Sequence, residues 1–161
     1  MINNQTNDTS DREMVITRLI NAPRELVWEV WTDPTHLEKW WGPNGFSTTT
    51  KEFSFGVGGR WRHIMHGPDG TNYPNLIVYE ELVKPERIVY AHSDGGEGAN
   101  DAQFISTITF EESDGKTLVT LRSVFNSPAE LQHVIKTYGA LEGGKQHLAR
   151  LDGYVTLLNQ Q

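Results

Sequence analysis

The sequence predicts an α+β domain, and three observations support this fold class. Residues 46–125 show apolar side chains with a period of two, divided by short turn segments, which is typical of an antiparallel β-meander. Two helix-start signals, at Pro23 and at Asp33-Pro34, precede the meander. After it, residues 127–130 (Ser-Pro-Ala-Glu) form a capping box, and an apolar stripe that ends at Leu158 indicates a long C-terminal helix.

The individual elements follow from local signals. A first strand is predicted at residues 12–20, then a short helix from Pro23 and a second one from Pro34 that ends at the loop 42–45. Six strands are predicted at residues 46–55, 60–66, 75–83, 87–93, 103–111 and 116–125. Glycines interrupt the last helix, so we expect a break near Gly139 and a close approach to another element at Gly143 and Gly144. The curved sheet must bury one face on that helix.

Length and composition limit the classes of protein. The 161 residues suit one domain, predicted at residues 12–161, behind a disordered polar tail at residues 1–11. No apolar stretch approaches the ~18 residues that span a bilayer, so no membrane association is expected. The absence of cysteine and of a secretory signal favours a cytoplasmic location. A net charge of −7 with scattered cations argues against nucleic acid as a partner.

A candidate binding surface follows from the alternation of side chains along the strands. Arg60 and Arg62 mark the solvent face of their strand, so Trp61, His63 and Met65 face inward. A single β-bulge would reverse such an assignment on the other strands. With that reservation, the same alternation gives three further inward sets: Tyr79 with Glu81, Tyr90 with His92, and Phe104 with Ser106 and Ile108.

Two interpretations of these inward residues stay open, a packed core and a cavity wall. Polar side chains such as His63, Glu81 and Ser106 cost free energy in a dry core, which favours the cavity. On the helical side, Gly144 and Leu148 belong to the predicted wall. For the adjacent rings of Trp40 and Trp41, either Trp41 closes the mouth of the cavity or both rings pack on the edge of the sheet.

Other site chemistries find no support in the sequence. His63 and His66 point to opposite faces of one strand, and His133 and His147 would lie about 21 Å apart along a continuous helix. We therefore expect no metal and no other cofactor. The glycines at residues 56–59 precede a strand, so they indicate a hairpin turn and not a nucleotide loop. The acidic, glycine-rich residues 94–101 lack the ligand order of an EF-hand and are predicted to form a flexible hairpin loop.

Several short segments resemble one known family, the AHSA-type members (activator of heat-shock-protein-90 ATPase homologue-like) of the START / birch-pollen-allergen superfamily. They are residues 20–28, 31–34, 40–43, 58–62, 68–70, 85–90 and 139–151, within a resemblance that spans about residues 14–157. It implies a helix-grip fold, with the sheet wrapped around the C-terminal helix and a cavity between them. Similar proteins often carry a large aromatic residue where Gly144 stands, so we expect open volume there unless a neighbouring Trp fills it.

The resemblance leaves three functions open. The first is binding of a small apolar or aromatic molecule in the cavity. The second is a cavity enzyme of the cyclase or hydrolase type, with His63 or His92 as general acid/base and Glu81 or Tyr79 as a helper. The third is a module that contacts a chaperone, as in a stress response. A homodimer is also left open.

Overall fold

A computed structural model describes residues 8–94 and 102–160 of the chain. Within this range one strand and two short helices precede six strands, and two further helices close the fold. The elements are β1 (Glu13–Ile20), α1 (Arg24–Thr32), α2 (Pro34–Trp40), β2 (Ser47–Phe53), β3 (Arg60–His66), β4 (Asn72–Val83), β5 (Arg87–Ser93), β6 (Phe104–Ser113), β7 (Lys116–Phe125), α3 (Pro128–Tyr138) and α4 (Ala140–Asn159).

All seven strands form one curved antiparallel sheet in the order β1-β7-β6-β5-β4-β3-β2. Strands β2 to β7 are a continuous meander, and β1 returns beside β7, with Ile16 opposite Leu121. The helices lie against one face of the sheet, and α4 makes its main sheet contact with β1. The predicted α+β class and helix-grip fold are confirmed.

The helix boundaries follow the predicted capping residues. The Asp33 carboxylate accepts a hydrogen bond from the backbone N–H of Thr35 at 2.8 Å, and the Ser127 hydroxyl accepts one from the N–H of Glu130 at 3.1 Å. Pro23 is the N-cap of α1 and not its first helical residue, so the helix begins at Arg24, one residue later than predicted. Gly139 has a φ of 63°, in the left-handed region that favours glycine, and it separates α3 from α4. The expected break in the last helix is therefore present.

One strand begins earlier than the sequence suggested. β4 starts at Asn72 and contains Pro74, whereas the predicted strand began at Asn75. A proline inside a strand is unusual because it cannot donate to a β-ladder. The register explains the difference, since β5 reaches only as far as Leu76 on that side of β4. Pro74 therefore pairs with β3 alone, opposite Ile64, where no second ladder needs its N–H.

Aromatic rings fill the core between α1, α2 and the sheet. Phe110 of β6 contacts the rings of Trp28 and Trp31 edge-on, with centroids 5.8 and 5.6 Å apart. The Trp40 ring is fully buried and its Nε1–H donates to the carbonyl of Val30 at 3.0 Å. These rings pack this end of the fold, and two large clefts in the described part of the chain lie toward α3 and the α3–α4 junction.

Part of the predicted tail and nearly all of the predicted loop at residues 94–101 lie outside the described residues. Thr9, within the predicted tail, donates to the Glu13 carboxylate at 2.6 Å and accepts from Arg122 at 2.7 Å. No helix in the described part of the chain is long and apolar enough to cross a membrane.

Candidate functional site

A cleft of about 730 Å³ lies between the sheet and the α3–α4 junction, and we call it the central cleft. Five strands from β3 to β7, together with Met14 of β1, contribute its floor, and the loop after α2 forms one wall. Residues from Val134 to His147 form the opposite side. A second cleft of about 570 Å³ adjoins it under α3 and shares Asn75 and Phe104 with it. The hollow thus extends along the helical side of the sheet.

Five predicted site residues line the central cleft: Trp41, Met65, His92, Phe104 and Gly144. Trp41 faces the cleft while its neighbour Trp40 packs toward α1, so the two adjacent rings lie on different surfaces. Seven more predicted residues face the same side of the sheet or the helix that covers it. They are Trp61, His63, Tyr79, Tyr90, Ser106, Ile108 and Leu148, and all of them are buried in the core beside the cleft.

Glu81 was predicted to face inward, and this is wrong. Its side chain is 48% exposed, and its carboxylate accepts a hydrogen bond from Arg87 at 2.6 Å on the outer face of the sheet. The cause is a β-bulge in β4, because the register passes from Tyr79 opposite Tyr90 to Glu81 opposite Val89. Tyr79 before the bulge keeps its inward position and Glu81 after it does not.

Gly144 shows the predicted close approach but limited open volume. A β-carbon at this position would meet the Cδ1 of Ile16 in β1, so the aliphatic side chain, and not a tryptophan, occupies the space directly above the glycine. The missing side chain lets α4 lie close to β1. On its other side Gly144 still borders the central cleft.

Ring stacking positions the aromatic and imidazole groups of the site. His63 stacks on Trp61 with centroids 3.8 Å apart, and Trp41 meets Trp61 edge-on at 4.8 Å. His92 stacks on Phe104 at 4.4 Å, across the β5–β6 pair. These contacts hold the rings of the two stacks against each other.

The two predicted histidines are neutral at physiological pH. Burial lowers the pKa of His63 to about 3, with a further contribution from His92, and burial lowers the pKa of His92 to about 4. Both ring nitrogens of His63 and Nδ1 of His92 are shielded from solvent without a hydrogen-bond partner in the described part of the chain. Such atoms cost free energy in a dry interior.

A row of hydroxyl groups lies deeper on the same face. The Oγ atoms of Ser106 and Ser123 are 2.8 Å apart, and Ser123 borders the central cleft. Tyr90 lies opposite Ser106 in the register, and burial raises the pKa of its phenol to about 12. Burial also raises the pKa of Tyr79, so both phenols are neutral.

Sequence reasoning missed several residues of the cleft. Asn75 lines both clefts directly across the strand pair from His63, but it had been placed at a strand start with no face assigned. His147 lies four residues before Leu151, and this helical spacing would have placed it on the apolar face of α4. Val134 and Tyr138 of α3 line both clefts because of the path that this helix takes over the sheet. No local sequence pattern specifies that path.

Metal ligands do not come together here. Within residues 8–94 and 102–160, no three His, Asp or Glu side chains are grouped closely enough to hold an ion. His66, on the outer face of β3, contacts Thr49 and Asn72 at 2.8 Å each.

The fold and its cleft define the class of this chain as a helix-grip α+β protein. A family model described as "Activator of Hsp90 ATPase homolog 1-like protein" matches residues 21–156, so the chain belongs to that family. The resemblance noted in the sequence is thereby confirmed.

Solved structures support the same assignment. A protein from Mycobacterium smegmatis is 28% identical, with a TM-score of 0.83 and coverage of 94% of this chain and 95% of that chain. A protein from Arthrobacter aurescens is 25% identical, with a TM-score of 0.83 and coverage of 92% and 88%. One from Chromobacterium violaceum is 26% identical, with a TM-score of 0.73 and coverage of 88% and 95%. The search of curated proteins found no match.

Proposed function

We propose that this protein binds a small, largely apolar, aromatic molecule in the central cleft. The observation that carries the proposal is the composition of the lining, in which Trp41, Met65, Phe104 and Phe125 surround a few polar groups. Ligand sites of proteins commonly combine apolar and aromatic walls with a small number of polar contacts. A volume of about 730 Å³ lies within the usual range for such sites.

The apolar surface that a ligand buries determines the expected affinity. A ligand that buries about 300 Å² of apolar surface gains roughly 7.5 kcal/mol, and association costs at least about 4 kcal/mol of it. The remaining ~3 kcal/mol corresponds to a millimolar Kd, and each net hydrogen bond of about 1 kcal/mol tightens binding about fivefold. We therefore expect Kd values from millimolar to micromolar, depending on the polar contacts.

The helix α3 offers an entry path. Leu131 is its one buried residue among those described, and Tyr138 at its C-terminal end is 64% exposed. Val134 of the same helix lines both clefts. A helix held by so few buried contacts opens at a low free-energy cost, which lets a ligand pass beneath it.

Tryptophan fluorescence tests this proposal, because Trp41 borders the cleft. Titration with a panel of small aromatic molecules should give saturable changes in emission. The substitution Val134→Phe fills part of the space under α3 and should weaken binding at least several-fold. The matched control Leu157→Phe changes an exposed residue of α4 outside the clefts and should bind normally. Flat titrations across the panel would contradict the proposal.

Fewer observations support the two alternative functions, catalysis in the cleft and contact with a chaperone. Glu81 cannot assist a catalytic histidine from the outer face of the sheet, and pKa values of about 3 for His63 and about 4 for His92 make both rings weak bases near neutral pH. Contact with a chaperone is suggested by the family's name. It stays a prediction, which a pull-down against a heat-shock-protein-90-type chaperone tests.

A further inference from the structure

Three polar side chains from adjacent strands lie together on the sheet at the central cleft. His63 of β3 is directly opposite Asn75 of β4, while His92 of β5 pairs with Ile77, two residues from Asn75. Directly opposed residues and their diagonal neighbours on one face are within reach of each other's side chains. Asn75 and His92 line the cleft, and His63 lies behind them with 0% exposure.

The two imidazoles have hydrogen-bonding capacity that no described residue uses, and the Asn75 amide lies beside them. The Nδ2 of Asn75 donates to the Tyr73 carbonyl at 2.9 Å, so its Oδ1 acts as an acceptor. A neutral imidazole has one donor and one acceptor nitrogen. Nδ1 of His92 and both nitrogens of His63 have no partner within the described residues. An apolar cleft that contained only hydrocarbon would leave this capacity unpaired.

The charges around the cleft disfavour an anion. Among the described residues that line either cleft, the formally charged side chains are the acids Asp94, Glu130 and Glu142, all of them exposed at the rim. The guanidinium of Arg150 is nearby, but its Nη1 donates to the backbone carbonyls of Trp41, Gly42 and Pro43 at 3.1, 3.0 and 2.9 Å. A carboxylate in the cleft would lose its hydration without gaining a cation.

We infer that the ligand is an aromatic molecule with an uncharged hydroxyl group, a phenol or an aromatic alcohol, seated against Asn75 and His92. This inference rests on the proposed function and specifies its ligand class. A hydroxyl donates one hydrogen bond and accepts others, so it matches an amide oxygen beside a neutral imidazole. The aromatic part of the ligand packs against Phe104 and Trp41, which border the same cleft.

A matched set of ligands tests the inference: naphthalene, 2-naphthol, 2-naphthoate and (2-naphthylmethyl)ammonium. All four have the same ring system and differ only in the polar group. At pH 7 the naphthol is uncharged, because phenols ionise near pH ~10. Isothermal titration calorimetry on the full chain should show naphthol binding about fivefold or more tightly than naphthalene, which is the effect of one net hydrogen bond. Both ions should bind more weakly than naphthol.

Two substitutions connect the preference to the named residues. Asn75→Leu and His92→Phe keep similar volumes but remove the polar groups, so naphthalene binding should persist while the preference for naphthol falls to twofold or less. Glu81→Gln, on the outer face of the sheet, is the control and should keep the full preference. Circular dichroism of each variant checks that it is folded.

The outcomes separate this inference from the proposed function. Equal affinities for naphthol and naphthalene, or tightest binding of either ion, would overturn the hydroxyl inference while leaving ligand binding intact. A naphthol preference that survives both substitutions would also overturn it. If none of the four compounds binds, the proposed function itself is contradicted.

Discussion

Nδ1 of His147 accepts a hydrogen bond from the backbone N–H of Gly42 at 3.0 Å, which joins α4 to the loop that walls the central cleft. The imidazole is enclosed by the rings of Trp31, Trp40 and Trp41, with centroids 6.1, 4.9 and 4.5 Å away. Burial lowers its pKa to about 3, with a smaller contribution from Arg150, so the ring is neutral and Nδ1 is free to accept.

Removing this acceptor should destabilise the fold. In His147→Phe the buried N–H of Gly42 loses its partner, and an unpaired buried donor costs about 1–3 kcal/mol. Urea unfolding followed by circular dichroism measures the difference. His133→Phe, at an exposed position of α3, is the control and should change stability by less than about 0.5 kcal/mol. Equal stability of both variants would show that the His147–Gly42 contact contributes little.

Two glycines of α4 predict opposite effects of the same substitution. Gly144→Ala places a β-carbon against the Cδ1 of Ile16. The overpacking cost of about 1–3 kcal/mol is partly offset by the ~1 kcal/mol that alanine gains in a helix, so the net loss of stability should be up to about 2 kcal/mol. Gly153→Ala meets nothing within 4 Å, so the better helix propensity of alanine should raise stability by about 0.8–1 kcal/mol. Thermal unfolding of both variants checks the contrast, and the double change Ile16→Val with Gly144→Ala should recover part of the loss. A Gly144→Ala protein as stable as Gly153→Ala would contradict the packing described here.

The buried histidines predict a loss of stability on mild acidification. Histidine in an unfolded chain titrates near pH ~6.5, whereas the fold lowers the pKa of His63 and His147 to about 3. The contribution of these two histidines to the free energy of unfolding is fully present above pH ~6.5. It is lost as the pH falls, because the unfolded chain then binds more protons than the folded one. For each of the two rings, the free energy of unfolding should decrease by about 1.4 kcal/mol per pH unit between pH ~6 and ~4.

Urea unfolding at pH 7.5, 6 and 5 measures this dependence above the range in which most carboxylates titrate. His63→Phe keeps the stack on Trp61 and removes one titrating ring, so its stability should fall less steeply with pH than that of the natural chain. A free energy of unfolding that stays constant from pH 7.5 to 5 would contradict this expectation.

Arg150 should hold the wall of the cleft in place. In Arg150→Met the three carbonyls of residues 41–43 lose a charged donor, which costs about 1.5–3 kcal/mol and leaves the loop less ordered. Arg18→Met removes an ion pair with Asp152 at the surface and should cost about 1 kcal/mol or less. Thermal unfolding and the amide signals of Gly42 and Asn44 report the two effects. Unchanged loop signals in Arg150→Met would rule out this positioning role.

Most of the fold was predictable because its signals are local. The capping residues Asp33 and Ser127 mark helix starts, and the αL conformation of Gly139 marks the break between the last two helices. Strands β3, β5 and β7 have the predicted bounds, since turn residues and alternation specify them together. The early start of β4 depends on how far the neighbouring β5 extends, and no local pattern contains that information.

A cavity against one face of the sheet was predicted, but the residues that border it could be predicted only in part. Alternation placed Trp61, His63 and Met65 correctly because β3 has no bulge between them. It failed at Glu81, because a bulge is a property of strand pairing. Which inward residues border open space depends on the path of α3 and α4 over the sheet, so the division between cleft and core required the structure.

Mapping a ligand onto the chain is the most direct test of the central claim. Titration of ¹⁵N-labelled protein with 2-naphthol, followed by ¹H–¹⁵N spectra, should shift amide signals at Met65, Asn75, Phe104 and Val134, which border the clefts. Signals of the outer face, such as those of Glu81 and His66, should stay in place. Shifts confined to the outer face, or none at saturating ligand, would contradict binding between the sheet and the C-terminal helices.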